Sequence, residues 1–312
     1  MPPPLATIGI ASVGEMGAGI AKLLSAHNYR VITNVSDRSE STRQRARAVS
    51  IELVESDKHL IQEVDYILSI VPPRDAVSTA EKMLNAFKLG KRALRRERGL
   101  CYVDLNAISP KTAMRIAERF EGTDVSFVDG GIIGAAPKLQ ADGSWTKPSL
   151  VVSGPHKLDS QLAETLNVKH VADTIGPASG LKMCFASTTK GLTAIAIQSF
   201  TTAHRLGMLD RLQGHLKEYS PKTGELAAKG LVGMPPKAYR WVDEMKEIAE
   251  TMHDEGGFEK DLFSGVSEIF RFVADETELG KEKTESRRLG KTPEDVARVV
   301  GEGMSGRKEK VE

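Results

Sequence analysis

A lysine set among small apolar residues can do proton chemistry, and this sequence carries one at a telling place. Lys182 lies in Gly176-Pro-Ala-Ser-Gly180-Leu-Lys182-Met-Cys-Phe-Ala186-Ser-Thr-Thr-Lys190-Gly191, where short apolar runs alternating with helical patterns give way to helix alone. A seam between two architectures is a usual place for a ligand site. At helical spacing, Lys182, Ala186, Thr189 and Lys190 share a face, at i, i+4, i+7 and i+8. Lys182 is therefore the first candidate for a general acid or base, with Lys190 in reserve. The plainer reading is a lysine that snorkels from a helix start. His170 and His204 read as packing or surface residues, and no His, Cys, Asp or Glu cluster has metal-ligand spacing, so no metal is expected.

The second stretch suited to chemistry lies at the start of the chain. Residues 5–10 (LATIGI) form an apolar run, followed by Ala11-Ser12-Val13-Gly14-Glu15-Met16-Gly17 and then apolar residues at helical spacing from Ile20. Strand, small-residue turn and helix in that order is the context of a dinucleotide fingerprint, whose glycines let a pyrophosphate reach a helix N-terminus. Ser12 stands in the place of the first glycine of G-x-G-x-x-G, so spacing alone suits a plain strand-to-helix turn equally well. The next apolar run ends at Asn34, ahead of Asp37-Arg38-Ser39-Glu40-Ser41-Thr42-Arg43. Asp37 is in register to hold the ribose 2′-hydroxyl of NAD, whereas Arg38, Arg43 and the hydroxyls between them suit the 2′-phosphate of NADP. The convergence of cation and hydroxyls favours NADP, with NAD the alternative. Because Arg45 and Arg47 continue the run, the plainer reading of Arg38 and Arg43 is a solvated helix face.

These residues need a scaffold, and the apolar runs at 51–54, 65–71, 101–105, 125–128, 149–153 and 169–171 supply further strands between helical segments. Such alternation implies an α/β fold, a doubly wound parallel sheet with ligands at the strands' C-terminal ends, where Gly14, Pro72 and Asn106 lie. Ser109-Pro110 is a helix start, and the polar loop leading to Trp145 is expected to be mobile. A helix over about 179–209 leads into further helices at 238–252 and 258–275, then a charged tail. Its last residues are expected to be disordered, with a short helix possible at 292–301. The 43 Lys and Arg against 42 Asp and Glu leave no global field for nucleic acid, and the basic loop from 88 to 98 lacks interleaved aromatics. Cys101 and Cys184 sit in apolar sequence and read as two buried thiols of a reducing compartment. With no signal peptide and no apolar run of membrane length, the expectation is a cytoplasmic protein without a membrane partner.

The motifs Val13-Gly14-Glu-Met16-Gly17, Ile70-Val-Pro72, Asp104-Leu-Asn106-Ala-Ile-Ser109-Pro110, Val128-Asp129-Gly-Gly131 and Gly180-Leu-Lys182 stand in this order over residues 5–275. In this arrangement the chain resembles the β-hydroxyacid dehydrogenases, relatives of 6-phosphogluconate and 3-hydroxyisobutyrate dehydrogenases. The likeness is greatest to the branch with a phosphogluconate dehydrogenase-like C-terminal domain. The resemblance implies a Rossmann domain (1–175), an all-α domain entered through a long helix (176–280) and a homodimer; beyond its reach, the charged composition of 281–312 points to a flexible tail. It implies NADP(H)-dependent hydride transfer to or from a carbinol carbon of a small substrate, with Lys182 as general acid/base. A lysine partly desolvated beside a cationic ring parts with its proton more readily. Ser12, Val13, Gly14, Glu15, Met16, Gly17, Asn34, Arg38, Ser39, Val71, Pro72 and Asn106 then fall to the cofactor. Gly131, Ile133, Gly134, Ala186 and Lys190 fall to the substrate. Two departures stand out. The family's Ser-Gly-Gly substrate loop reads Ile133-Gly134-Ala135, and the asparagine four residues after the lysine is Ala186. They suggest a substrate bulkier or less acidic than hydroxyisobutyrate. They also leave open a dinucleotide-binding regulatory or scaffold protein without turnover; an imine reductase is the nearest rival among enzymes because that group shares the scaffold, though it usually lacks this lysine.

Overall fold

A computed structural model describes residues 2–36, 40–49, 51–90 and 99–308. The chain divides into two compact units, Met1–Met183 and Cys184–Glu312.

The first unit is built from β1 (Thr7–Ile10), α1 (Glu15–Ala26), β2 (Arg30–Thr33), α2 (Glu40–Ala48), β3 (Glu52–Leu53), α3 (Asp57–Glu63), β4 (Tyr66–Ser69), α4 (Ala76–Leu89), β5 (Leu100–Asp104) and α5 (Pro110–Glu118). It continues with β6 (Val125–Ile133), β7 (Lys138–Leu139), β8 (Trp145–Thr146), β9 (Ser149–Ser153), α6 (Ser160–Leu166) and β10 (Val168–Ala172). The large sheet has the order β10-β9-β6-β5-β4-β1-β2-β3. From β3 to β6 every neighbouring pair is parallel, which is the doubly wound arrangement. Both faces are covered. Ile8, Ile10 and Val103 pack with Leu23 and Leu24 of α1 on one side, while Ile67, Tyr102 and Phe127 pack with α3, α4 and α5 on the other. Burial on both faces is why these strands read as apolar runs without alternation.

The sheet departs from the expected all-parallel order at one seam, where β6 and β9 are antiparallel. β6 runs nine residues, past the expected end at Val128, and the chain returns through the short β7–β8 hairpin to pair with it. An antiparallel neighbour needs only a return loop, not a crossover helix. The segment expected to be a mobile loop is thus partly hydrogen-bonded hairpin, turned by Gly143 (φ +83°) with Asp142 accepting from Ser144 N at 2.9 Å.

α7 (Pro177–Arg205) crosses from one unit to the next, so the division falls inside this helix after Met183 rather than at 175/176. Its 29 residues span about 43 Å at the helical rise. The second unit continues with α8 (Leu209–Tyr219), α9 (Pro221–Gly233), α10 (Ala238–Asp254), α11 (Asp261–Glu276) and α12 (Pro293–Lys308). α8 and α9 were hidden by glycines, which weaken helical pattern and propensity. A Cβ on Gly224 would lie 3.2 Å from Leu216, and one on Gly230 only 2.5 Å from Thr193 Oγ1, so these glycines serve close helix packing. The charged end is not a flexible tail throughout. α12 buries Val296, Ala297, Val299 and Val300, a stripe at helical spacing inside an otherwise charged segment.

Candidate dinucleotide and proton-transfer site

The turn from β1 to α1 is the first part of the site. Gly14 is the N-cap of α1 with extended backbone (φ −79°, ψ −171°), and no side chain caps the helix there. The first N–H groups of α1, at Glu15, Met16 and Gly17, therefore lack a side-chain capping partner, and the helix dipole favours an anion beside them. A Cβ on Gly14 would meet nothing within 4 Å, whereas one on Gly17 would lie 2.5 Å from Ser12 O. Gly17 lets helix and turn close on each other. Ser12 is not among the residues of positive φ, so serine stands in the first glycine's place without backbone strain. The turn has the shape and donors that a pyrophosphate needs.

Around this turn, several expected ligand residues are occupied with ordering the protein. Asn34 Oδ1 accepts from Ser36 N at 3.1 Å, and Nδ2 donates to Asp57 Oδ1 at 2.8 Å. Asp57 also pairs with Lys82 at 3.0 Å. Asn106, 2% exposed, accepts from Val71 N at 2.7 Å and donates to Ser69 Oγ at 3.0 Å. Its amide thus ties the end of β5 to Val71-Pro72 after β4, and it shapes the expected cofactor wall from behind. Arg38 and Ser39, the candidates for the 2′-phosphate, lie outside the described residues, as does Asp37. Arg43 Nε donates to Glu40 at 2.9 Å. Arg45 is the residue that sequence reasoning passed over. From α2 its Nε donates to Val13 O at 3.2 Å, and Nη2 donates to Thr42 Oγ1 at 3.2 Å, so its guanidinium is held at the phosphate turn. In the sequence it was indistinguishable from Arg47 on a charged helix.

The second part of the site is the start of α7. Asp129 on β6 is fully buried; its Oδ2 accepts from Ser153 Oγ (2.8 Å), Gly176 N (3.0 Å) and Ser179 N (3.2 Å). Its Oδ1 accepts from Ser179 Oγ at 2.5 Å, and Ser153 Oγ in turn accepts from Ala178 N at 3.0 Å. Two residues along β6, a Cβ on Gly131 would lie 2.7 Å from Lys182 Cβ and 2.9 Å from its Cγ. The stem of Lys182 therefore lies against the bare backbone of Gly131. Pro110, the first residue of α5 behind the Ser109 cap, stands 3.3 Å from where Cβ atoms of Gly176 and Gly180 would be. Three separate sequence motifs thus meet at one helix start.

The expected substrate residues are less uniform. Gly131 and Ile133 belong to strand β6, paired with Val151 and Ser149, rather than to a loop. Gly134 (φ +120°) begins the exit from the strand, with Pro148 Cα 3.3 Å from its would-be Cβ. In the second unit, Ala186 is buried at 1% exposure. Lys190 pairs with the buried Glu244 and lies 4.9 Å from the ring centroid of Trp241, so its charge is held by α10. His170 Nε2 is within 3.0 Å of Gly154 O. Cys101 is buried, and desolvation pushes its thiol up to about 12, but Cys184 is exposed, contrary to the expectation of two buried thiols. It falls between the buried positions Met183 and Ala186 of α7, on the exposed side of the helix.

Residues 7–168 match the family model of the NAD-binding domain of 6-phosphogluconate dehydrogenase. The chain belongs to this family. With it the chain takes its place among the NAD(P)-dependent dehydrogenases. Residues 203–273 of this family member match a second model, described as a domain of unknown function (DUF1932). An uncharacterised 28.5 kDa protein of Methanothermus fervidus is 29% identical over 244 residues, 77% of this chain and 88% of that one. Among solved structures, a conserved protein of unknown function with structural similarity to 3-hydroxyacid dehydrogenases is 25% identical (TM-score 0.59; 86% of this chain, 97% of that chain). The 3-hydroxyisobutyrate dehydrogenase of Salmonella typhimurium shares the fold at 19% identity (TM-score 0.63; 94% and 99%). No helix among the described residues is long and apolar enough to cross a membrane.

Proposed function

We propose that the protein is an NADP(H)-dependent oxidoreductase acting on a small β-hydroxy acid or its carbonyl counterpart, with Lys182 as general acid and base. The observation that carries this reading is the lysine's setting: its stem is seated on Gly131, on a helix start tied to the sheet by Asp129. The dinucleotide, when bound, supplies or accepts the hydride. During reduction the ammonium of Lys182 gives a proton to the carbonyl oxygen as the carbon gains hydride; during oxidation the neutral amine takes it back from the hydroxyl. The N–H groups at the start of α1 hold the pyrophosphate, and Val71-Pro72, ordered by Asn106, faces the ribose and nicotinamide. Turnover of NADPH with a panel of carbonyl compounds, graded by size and acidity, tests the function. A protein that binds NADPH but reduces none of them would favour the regulatory reading.

The cofactor preference has its own test. Arg45 adds a cation to the turn between β1 and α1, where its Nε donates to Val13 O. Fluorescence titration is expected to show tighter binding of NADPH than of NADH. Arg45→Ala should weaken NADPH about five- to tenfold and NADH less than about twofold, in line with one charge-assisted contact. Equal loss for both dinucleotides would make Arg45 a support of the turn and not a phosphate contact.

The homodimer belongs to the same reading. Leu181, Phe185 and Ile195 fall on one side of α7 and are 45, 44 and 60% exposed. Such an apolar stripe suits a second copy of the chain. Sedimentation at micromolar concentration is expected to give twice the mass of 33.9 kDa; a monomer there would remove the claim.

A further inference from the structure

We propose that Asp129 is a positioning residue for Lys182, acting through Ser153 and Ser179 as a buried anionic clamp on the first turn of α7. The inference rests on the reading of Lys182 as the proton-transfer group, but its geometric half can be tested without turnover.

The physical argument begins with the cost of a buried carboxylate. Asp129 is fully buried, and an ionised carboxylate out of water must find donors. Its partners are two hydroxyls and two backbone N–H groups, all at 2.5–3.2 Å, and both N–H groups belong to the start of α7. Through Ser153 the same cluster reaches a third, Ala178 N. These are the donors that a helix leaves without intrahelical partners, and the dipole there favours negative charge. The carboxylate does for α7 what an N-cap side chain does from within a helix, but it does so from the sheet. A local cap would fix the helix start only relative to its own chain. A cap carried by β6 fixes it relative to the strand.

The register of the two elements then locates the lysine. Asp129 and Gly131 are two apart on β6 and face the same side, a repeat of about 6.6 Å. Ser179 and Lys182 are three apart on α7 and share a face, a rise of about 4.5 Å. The structure joins them rung by rung, Asp129 to Ser179 by hydrogen bonds and Gly131 to Lys182 by close packing. One rung holds the helix along its axis; the other fixes its rotation, because only glycine leaves room for the lysine stem. Pro110 closes the side at Gly176 and Gly180. With the helix pinned in both senses, the direction in which the Lys182 stem leaves β6 is set by the strand.

The test compares Asp129→Ala, Asp129→Asn and Ser179→Ala with the unaltered full chain. Asparagine can still accept from the two backbone N–H groups and donate to the Ser179 hydroxyl, so it is the conservative rescue. Two readouts follow the lysine. The first is the rate of reductive methylation of Lys182, resolved by mass spectrometry at several pH values, well below each variant's Tm. The second is kcat against KM for a carbonyl substrate accepted by the unaltered protein. Asp129→Ala is expected to change the methylation rate about threefold or more and to lower kcat about tenfold, as a misplaced acid would, with KM and NADPH affinity within about twofold. Asp129→Asn should recover most of both. Ser179→Ala, which keeps the backbone N–H, should fall between and serves if Asp129→Ala does not fold. A lower Tm with unchanged Lys182 reactivity would overturn the proposal and leave Asp129 as a support of the fold. If Lys182→Ala itself left turnover intact, the acid–base reading would fail. The methylation rates would still decide whether Asp129 places the lysine.

Discussion

Lys182→Ala is expected to lower kcat by about 10²–10⁴-fold, the usual worth of a positioned general acid, while NADPH binds within about twofold of normal. The two measurements separate because the lysine lies on α7 and the phosphate turn lies between β1 and α1. Removing the lysine cuts away a stem that packs on Gly131 but leaves the Asp129 clamp on Gly176 and Ser179 intact, so the helix start should hold. Lys182→Arg makes the point sharper. Guanidinium keeps its charge and hydrogen-bonding capacity but does not give up a proton at ordinary pH, so a residue needed only for charge would tolerate it. The acid–base role predicts that arginine is nearly as poor as alanine. Turnover with arginine near the unaltered rate would reassign Lys182 to substrate binding, and turnover with alanine would remove it from the chemistry.

Much of this site was legible in the sequence, for reasons that differ from part to part. The phosphate turn announced itself because strand, glycines and helix are consecutive, and the Ser109-Pro110 helix start because a cap and its proline are adjacent. Residues 104–110, 128–131 and 180–182 could be recognised as motifs, yet their common purpose could not be read from order alone. Only the fold brings Asp129, Gly131, Pro110 and Lys182 to one helix start. Arg45 was obscured for a related reason. On a helix with Arg43 and Arg47, nothing local distinguishes the one guanidinium that reaches back to Val13 O. The antiparallel β6–β9 seam was hidden too, since an apolar strand carries no mark of its direction. Asn106 and Lys190 show a different limit of sequence. Their types suited ligand contact, but the structure gives Asn106 to Val71 and Ser69, and Lys190 to Glu244. Side chains that can bind a ligand can as well bind the protein, and spacing does not say which.

The dinucleotide half of the reading stands on Gly17, and Gly17→Ala should weaken dinucleotide binding. The added Cβ would sit 2.5 Å from Ser12 O and 3.4 Å from Ile10 Cγ2, and real Cβ atoms do not approach a backbone oxygen that closely. Ser12 has little room to retreat. The residue before it is held by Ala11 N donating to Leu68 O at 3.1 Å, and Ile10 O accepts from Thr33 Oγ1 at 2.7 Å. The turn must therefore distort where the α1 N–H groups are aimed. Stability should change less than binding. Alanine in place of a helical glycine stabilises by about 1 kcal/mol, which offsets part of the strain of about 1–3 kcal/mol at the turn. Kd for NADPH should rise more than about tenfold, a loss of about 1.4 kcal/mol or more. Gly14→Ala is the companion, because a Cβ there meets no protein atom within 4 Å. It should leave the fold nearly unchanged and weaken NADPH only if the dinucleotide lies against that glycine. Normal binding by Gly17→Ala would mean that this turn, for all its glycines, is not where the pyrophosphate sits.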